Sequence, residues 1–201
     1  MKLSKELIEV LIEEARKLLE ELPEFYQYHD LSHTVRVVNA SMEIAEHSAV
    51  DDYERDLLRL AAWYHDIGYA ISLSNHEMTG AAVLCSILSN YNIEERTILL
   101  ISDLILSTRI NQTPVNELEK ILCDADNVHL SYNDYSRFSD SLKKELSLLG
   151  NSQPSNEDWN EANIHYFENH QYYTDYARLY FGKGKMRNFE ILTKTSSLVN
   201  S

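Results

Sequence analysis
The chain has 201 residues, 44% of them apolar, with 5 glycines, 3 prolines and a formal net charge of −14. That length holds one sizeable core and leaves little room for two, and so few breakers argue against a turn-rich all-β fold. An acidic surface repels a phosphate backbone, which excludes tight binding to long nucleic acid; small anions stay admissible where a bound cation dominates the local field.

The first predicted helix covers about 3–22, where Leu7, Ile8, Leu11, Ile12, Ala15, Leu18, Leu19 and Leu22 recur at helical spacing. Ser4 is its candidate N-cap and Pro23 lies beyond its end. A second helix starts between Asp30 and His33 and runs to about His47, with Val35, Val38, Met42 and Ala45 on its apolar side. The third begins at Asp51 or Asp52, where a carboxylate suits a helix N-terminus, and is expected to end at Gly68. A fourth, capped at Ser74 or Asn75, covers His76 to about Ser89, and a fifth covers Ile93 to Ser107. Pro114 fits the first turn of a sixth, which leads through Leu118, Ile121, Leu122 and Ala125. Helices are further predicted at about 133–149, 155–180 and 185–197, with the patch from Gly150 to Asn156 joining two of them. No segment pairs a period-2 strand with a hairpin turn, so the expected fold is a single all-α bundle of about eight or nine helices over residues 1–201. Cys85 and Cys123 lie in apolar helical patterns and read as buried free thiols. The N-terminus opens with lysines and glutamates rather than an apolar signal core, and no apolar run is long enough for a bilayer, so a cytoplasmic protein without a membrane partner is expected.

The chemistry centres on Trp63-Tyr64-His65-Asp66-Ile67-Gly68-Tyr69. Adjacent His and Asp offer an imidazole nitrogen and a carboxylate oxygen, both suited to a divalent cation. Neighbouring helix positions diverge by about 100°, so this pair is expected at the rim of a site that other helices complete. His33 opens one helix and Asp126 closes another, and a buried Asp on an apolar helix needs a partner. Together these positions give two nitrogens and two oxygens from three helices.

The pattern His33, then His65-Asp66, then Asp126 resembles the HD superfamily of metal-dependent phosphohydrolases. The flanking words YHDLSHT, AAWYHDIGY, NHE and LCDAD are similar to those of small single-domain bacterial members. The motifs cover about residues 25–130, which the resemblance makes the metal-site core, and a fainter likeness from Trp159 to Leu192 falls in the helical extension over about 131–201. It implies an HD-type bundle with a divalent cation held by His33, His65, Asp66 and Asp126. Manganese, magnesium, iron, nickel and zinc all remain open. It also implies hydrolysis of a phosphomonoester or phosphoanhydride in a small nucleotide-like substrate by attack of activated water, with Asp66 and His76 catalytic.

One departure from the family pattern bears on metal count. After Leu106-Ser107-Thr108-Arg109 the chain continues Ile110-Asn111, where a second histidine ligand is expected in members with two metals. One cation per chain is therefore expected, leaving His76 to contact phosphate or a coordinated water. His29, just outside its helix, is a candidate to orient substrate. Lys185 and Arg187, in a locally basic stretch with Arg178 and Lys183, are candidates to clamp phosphate. His47, His129, His165 and His170 read as surface or satisfied polar residues. The thirteen tyrosines, several between Tyr166 and Tyr180, read as core and rim residues. The competing class is a non-catalytic module that binds a nucleotide signal or a protein. Either a monomer or a homodimer agrees with the absence of a heptad seam.

Overall fold
Side-chain caps set most helix starts. Ser4 accepts from the Leu7 amide, Asp30 from His33, Asn116 from Glu119 and Ser155 from Asp158. Asp51 forms a capping box with Glu54. The computed structural model describes residues 3–72, 75–110, 112–150 and 153–199. Among these residues there is no strand and there are ten α-helices: α1 Lys5–Glu20, α2 Leu31–Glu46, α3 Asp52–Tyr64, α4 His76–Ser89, α5 Glu95–Ser107, α6 Glu117–Asp126, α7 Tyr135–Gly150, α8 Asn156–Asn169, α9 Asp175–Tyr180 and α10 Gly182–Val199. Two 3₁₀ turns, Ile67–Ala70 and Val128–Ser131, follow α3 and α6.

Helix α2 lies between α3 and α6, while α1 packs on α3 and α4 on α5. One core cluster runs from Leu3 to Phe181. Its fully buried members include Ile8, Leu11, Ile44, Leu58 and Leu104, each contributing roughly 1.5–3 kcal/mol by leaving water. A smaller cluster of Leu130, Tyr135 and Phe167, with Phe189 and Leu192 against it, joins α7, α8 and α10 to the second 3₁₀ turn. No helix of the described residues is long and apolar enough to cross a membrane.

Several boundaries differ from those expected. Helix α3 ends at Tyr64, not Gly68, because the chain tightens into the 3₁₀ turn. Asn75 precedes α4 in the left-handed region (φ 55) and makes no side-chain cap, and Ser74 lies outside the described residues. Pro114 is not in the first turn of α6: Asn116 caps that helix and the Glu119 carboxylate returns to the Val115 amide at 2.7 Å. The expected helix over 155–180 is two helices. Asp124, fully buried on α6, accepts from the amides of Tyr173 (2.8 Å) and Thr174 (2.7 Å) and from the Thr174 hydroxyl (2.7 Å). Amides held there cannot continue the α8 ladder, and Thr174 restarts the chain as the N-cap of α9. That break raises the helix count to ten among the described residues. Cys123 is buried, as expected, and its thiol donates to the Ser107 carbonyl at 3.2 Å, whereas Cys85 is half-exposed.

Burial raises the Asp124 pKa despite its three donors, so the anion is costly where it lies; its worth is in the amides it satisfies. Asp124→Ala orphans all three donors and should lower the unfolding free energy by roughly 2–4 kcal/mol. Urea denaturation reads this loss.

Candidate metal centre
The end of α3 builds the site. His65 keeps helical angles (φ −58, ψ −38), but Asp66 leaves them at φ −108, ψ 3, in the sparsely populated bridge region. The two side chains therefore converge instead of diverging, with His65 Nε2 3.1 Å from Asp66 Oδ2. This corrects the expectation of a pair at the rim: His65 and Asp66 are only 1% and 5% exposed. The chain then turns under α4. A Cβ on Gly68 would lie 1.9 Å from the His76 carbonyl oxygen, and one on Gly80 would lie 2.7 Å from that of Tyr64. Only hydrogen fits at these contacts, and the close approach brings His76 Nε2 to 3.3 Å from Asp66 Oδ1. The His76 ring stacks on Tyr69 with centroids 3.9 Å apart.

From α2, the Asp30 cap accepts from the His33 amide at 2.8 Å and fixes that residue in the first turn. His33 Nε2 is 3.2 Å from Asp66 Oδ2, 3.2 Å from Asp126 Oδ1 and 3.3 Å from His65 Nε2. Asp126, the last residue of α6, has its Oδ1 3.7 Å from His65 Nε2. Asp124 is two residues earlier, about 200° around the helix, and so points at the C-terminal turn instead.

Donor atoms about 2.1 Å from a shared cation lie roughly 3.0–3.4 Å from one another. Of the five separations given among His33, His65, Asp66 and Asp126, four fall in that range, and the Asp126–His65 distance is slightly longer. His33, His65 and Asp66 each offer a ligand atom within 4.8 Å of the other two. With its ring proton on Nδ1, His65 donates to the Ala62 carbonyl at 2.8 Å, which turns the Nε2 lone pair into the cluster. Asp66 Oδ2 is buried without a hydrogen-bond partner. Lone pairs facing lone pairs need a positive centre; a proton serves one pair, whereas a divalent cation could serve His33, His65 and Asp66 together, with Asp126 Oδ1 3.2 Å from His33 Nε2. The donor set therefore fits a divalent cation. Burial pushes both histidine pKa values down, but the Asp66 and Asp126 carboxylates outweigh it and raise them. Burial also raises the two carboxyls, and the histidines hold both well below the usual range.

A second layer supports the first. Glu145, fully buried on α7, accepts from the amides of Tyr28 (2.8 Å) and His29 (3.0 Å) and hydrogen-bonds His29 Nδ1. The Tyr28 hydroxyl meets His129 Nδ1 at 3.0 Å, and its ring packs 4.9 Å from that of His33. Burial, then repulsion from His33, lowers the His129 pKa to about 4, so that ring is a neutral hydrogen-bond partner. These residues floor a cavity of about 510 Å³, which His29, Asp66, Tyr69, His76, Asp126 and His129 help to line. Glu145 had a readable signal: it interrupts the apolar stripe Tyr135, Phe138, Leu142, Leu149 of α7. Tyr28 and Tyr69 stand inside the motif words.

Other candidates lie elsewhere. The Lys185 ammonium donates to the His170 carbonyl, and Arg187 donates to Ser131 O at 3.0 Å. Both cations are engaged by backbone carbonyls, and neither lines the cavity. His170 is not a satisfied polar residue: its Nδ1 is buried without a partner, and burial followed by Lys185 lowers its pKa to about 3. His47 bonds Glu43 O at 3.0 Å, and His165 is exposed beside Asn169.

A helical bundle with a buried His/Asp cluster that could hold a cation fits a class of metal-binding domains. The model of the HD domain family matches residues 30–131, just over half of the chain. The chain belongs to that family, within the HD superfamily of metal-dependent phosphohydrolases. No curated protein and no solved structure gives a significant match to it.

Burial pushes the Glu145 carboxyl up, but the His29 ring and the two amides win and hold it below its ordinary value of 4.5. A carboxylate with a depressed folded pKa stabilises above the unfolded pKa and loses that contribution as pH falls through the folded one. Glu145→Gln should therefore cost roughly 1–2 kcal/mol at pH 7, and the difference from wild type should shrink as the medium is acidified below pH 4.5. Paired urea titrations across that range check the trend. Gly68→Ala should cost roughly 2–4 kcal/mol by lifting α4, and should weaken cation binding because the turn that aims Asp66 shifts with it; calorimetric titration beside a thermal melt reads both.

Proposed function
We propose that the protein is a hydrolase of small phosphorylated molecules, using one divalent cation held by His33, His65, Asp66 and Asp126. The observation that carries this reading is the convergence of His33 Nε2, His65 Nε2 and the buried Asp66 Oδ2 beneath a cavity that Asp66 and Asp126 help to line. A divalent cation supplies Lewis acidity and activates water toward attack on phosphorus.

The chain's own residues do the rest. Asp66 divides its work: Oδ2 faces the histidine nitrogens and Oδ1 faces His76 Nε2 at 3.3 Å. Asp66 and His76 together accept the proton of the attacking water and return one to the leaving oxygen. Stacking on Tyr69 holds the His76 ring in place. His29, with Nδ1 committed to Glu145, has Nε2 left for a phosphoryl oxygen. The nucleotide-like substrate implied by the resemblance stays within this proposal as one member of the test panel. A phosphate clamp by Lys185 and Arg187 is not part of it, since their donors are engaged elsewhere.

Metal-stripped protein should bind one equivalent of a divalent cation and gain thermal stability with it, by about 2.7 kcal/mol at a hundredfold excess over Kd. Manganese, magnesium, iron, nickel and zinc are to be supplied in turn with a panel of phosphomonoesters and phosphoanhydrides. Asp66→Ala should abolish both the thermal shift and phosphate release, by at least about a thousandfold in kcat. Phosphate release that persists in stripped protein, or in Asp66→Ala, would sink the reading.

A further inference from the structure
The cavity above the metal centre has a divided lining. Its floor is polar. Its upper wall comes from the second 3₁₀ turn, α7 and α8, and presents Leu130, Phe138, Leu142, Leu146, Trp159 and Ala162. The polar atoms of Tyr135, Ser139, Trp159 and Asn163 on the same wall bond to one another or to backbone. Tyr135 donates to Asn163 Oδ1 at 2.6 Å, Trp159 Nε1 to Ser139 Oγ at 2.9 Å, and Asn163 Nδ2 to the Trp159 carbonyl at 2.6 Å. Such a wall has little left to read the edges of a nucleobase or the hydroxyls of a sugar.

Charge points the same way. Asp66, Glu77 and Asp126 line the cavity, and no lysine or arginine does so among the described residues. Arg36 is the nearby exception, but its guanidinium lies 4.6 Å over the Phe138 ring and donates to Ser32 Oγ at 2.9 Å. One phosphoryl dianion is offset by the cation and the floor histidines. A second phosphate would extend toward apolar wall and carboxylates with no cation to meet it. A neighbouring cavity of about 440 Å³ does contain Arg109 with His165 and His170, but of the proposed cation-binding and catalytic residues it reaches only Asp126. Asp66, His76 and His29 line the first cavity, so a leaving group positioned by them runs along the α7–α8 wall.

We propose that the substrate is the phosphomonoester of an apolar alcohol, with its single phosphoryl group at the metal centre and its body against Phe138, Leu142 and Trp159; this rests on the phosphohydrolase reading above. The reaction needs only water. The water oxygen bonds to phosphorus, the ester P–O bond breaks, and the alcohol leaves with a proton while inorganic phosphate is released.

The test uses full-length, cation-loaded protein with methyl, butyl and octyl phosphate beside deoxynucleoside monophosphates and ATP. The expected result is a kcat/KM that rises about three- to fourfold per methylene from methyl to octyl phosphate, with ATP the poorest substrate. Leu142→Lys should cut the octyl-to-methyl ratio at least tenfold. Leu146→Lys, at a half-exposed position on the rim, should cut it in the same direction in a variant whose fold is not at stake. Equal turnover of all monoesters, or a preference for nucleotides or ATP, overturns the inference and leaves the phosphohydrolase intact. If no ester is hydrolysed with any cation, the phosphohydrolase reading fails, and calorimetry still decides the pocket chemistry. Octylphosphonate binding at least tenfold tighter than methylphosphonate supports an apolar-bodied ligand; equal or absent binding overturns it.

Discussion
Two imidazoles and two carboxylates share a space a few ångströms across, and three of the four residues are almost wholly removed from water. Unpaired, such a set is costly to bury. A cation would relieve the cost, and the protein around the cluster holds the four side chains together. The Ala62 carbonyl fixes the His65 tautomer, the Asp30 cap fixes the first turn of α2, and the 3₁₀ turn after Asp66 is pinned by the contact of Gly68 with the His76 carbonyl. Each device is local and belongs to a different helix end. The site is thus an assembly of helix termini, where the backbone escapes the 100° spacing that would keep neighbouring ligands apart.

Much of this was legible from residues alone. The fold class, the starts of α1 to α3 and the span of α4 follow from apolar periodicity and capping chemistry, which act over a few residues. His33, His65, Asp66 and Asp126 stand out by their motif words, and their side chains lie close together. What escaped the sequence depends on contacts distant along the chain. The division of α8 from α9 is made by Asp124, some fifty positions upstream, and no local propensity announces it. Lys185 and Arg187 look like a phosphate clamp when only their charge is visible; their carbonyl partners belong to turns that the tertiary fold delivers. Glu145 was hidden by a similar distance from His29, although a carboxylate within an apolar stripe was there to be noticed.

The two aspartates of LCDAD put a structural carboxylate and a candidate cation ligand on one helix. Asp124 and Asp126 differ by two positions and face nearly opposite ways. One satisfies the backbone of the C-terminal turn and is wholly buried; the other keeps its side chain 25% exposed at the cavity floor. A change in the pitch or end of α6 would move both, so the C-terminal helices and the metal centre are coupled mechanically through a single turn.

That coupling divides the labour along the chain. The family match spans residues 30–131 and contains all four proposed cation ligands and His76. The wall that any substrate body would meet is built mostly from α7 and α8, beyond that span. In the proposed hydrolase the floor would take a phosphoryl group through a cation and histidines, which are blind to the rest of the molecule. Discrimination therefore has to come from the later helices, and Glu145 is what ties them to the floor: it sits on α7 and holds the amides of Tyr28 and His29. A displacement of α7 would carry His29 with it, so the helix that forms the cavity wall also sets the position of a floor histidine.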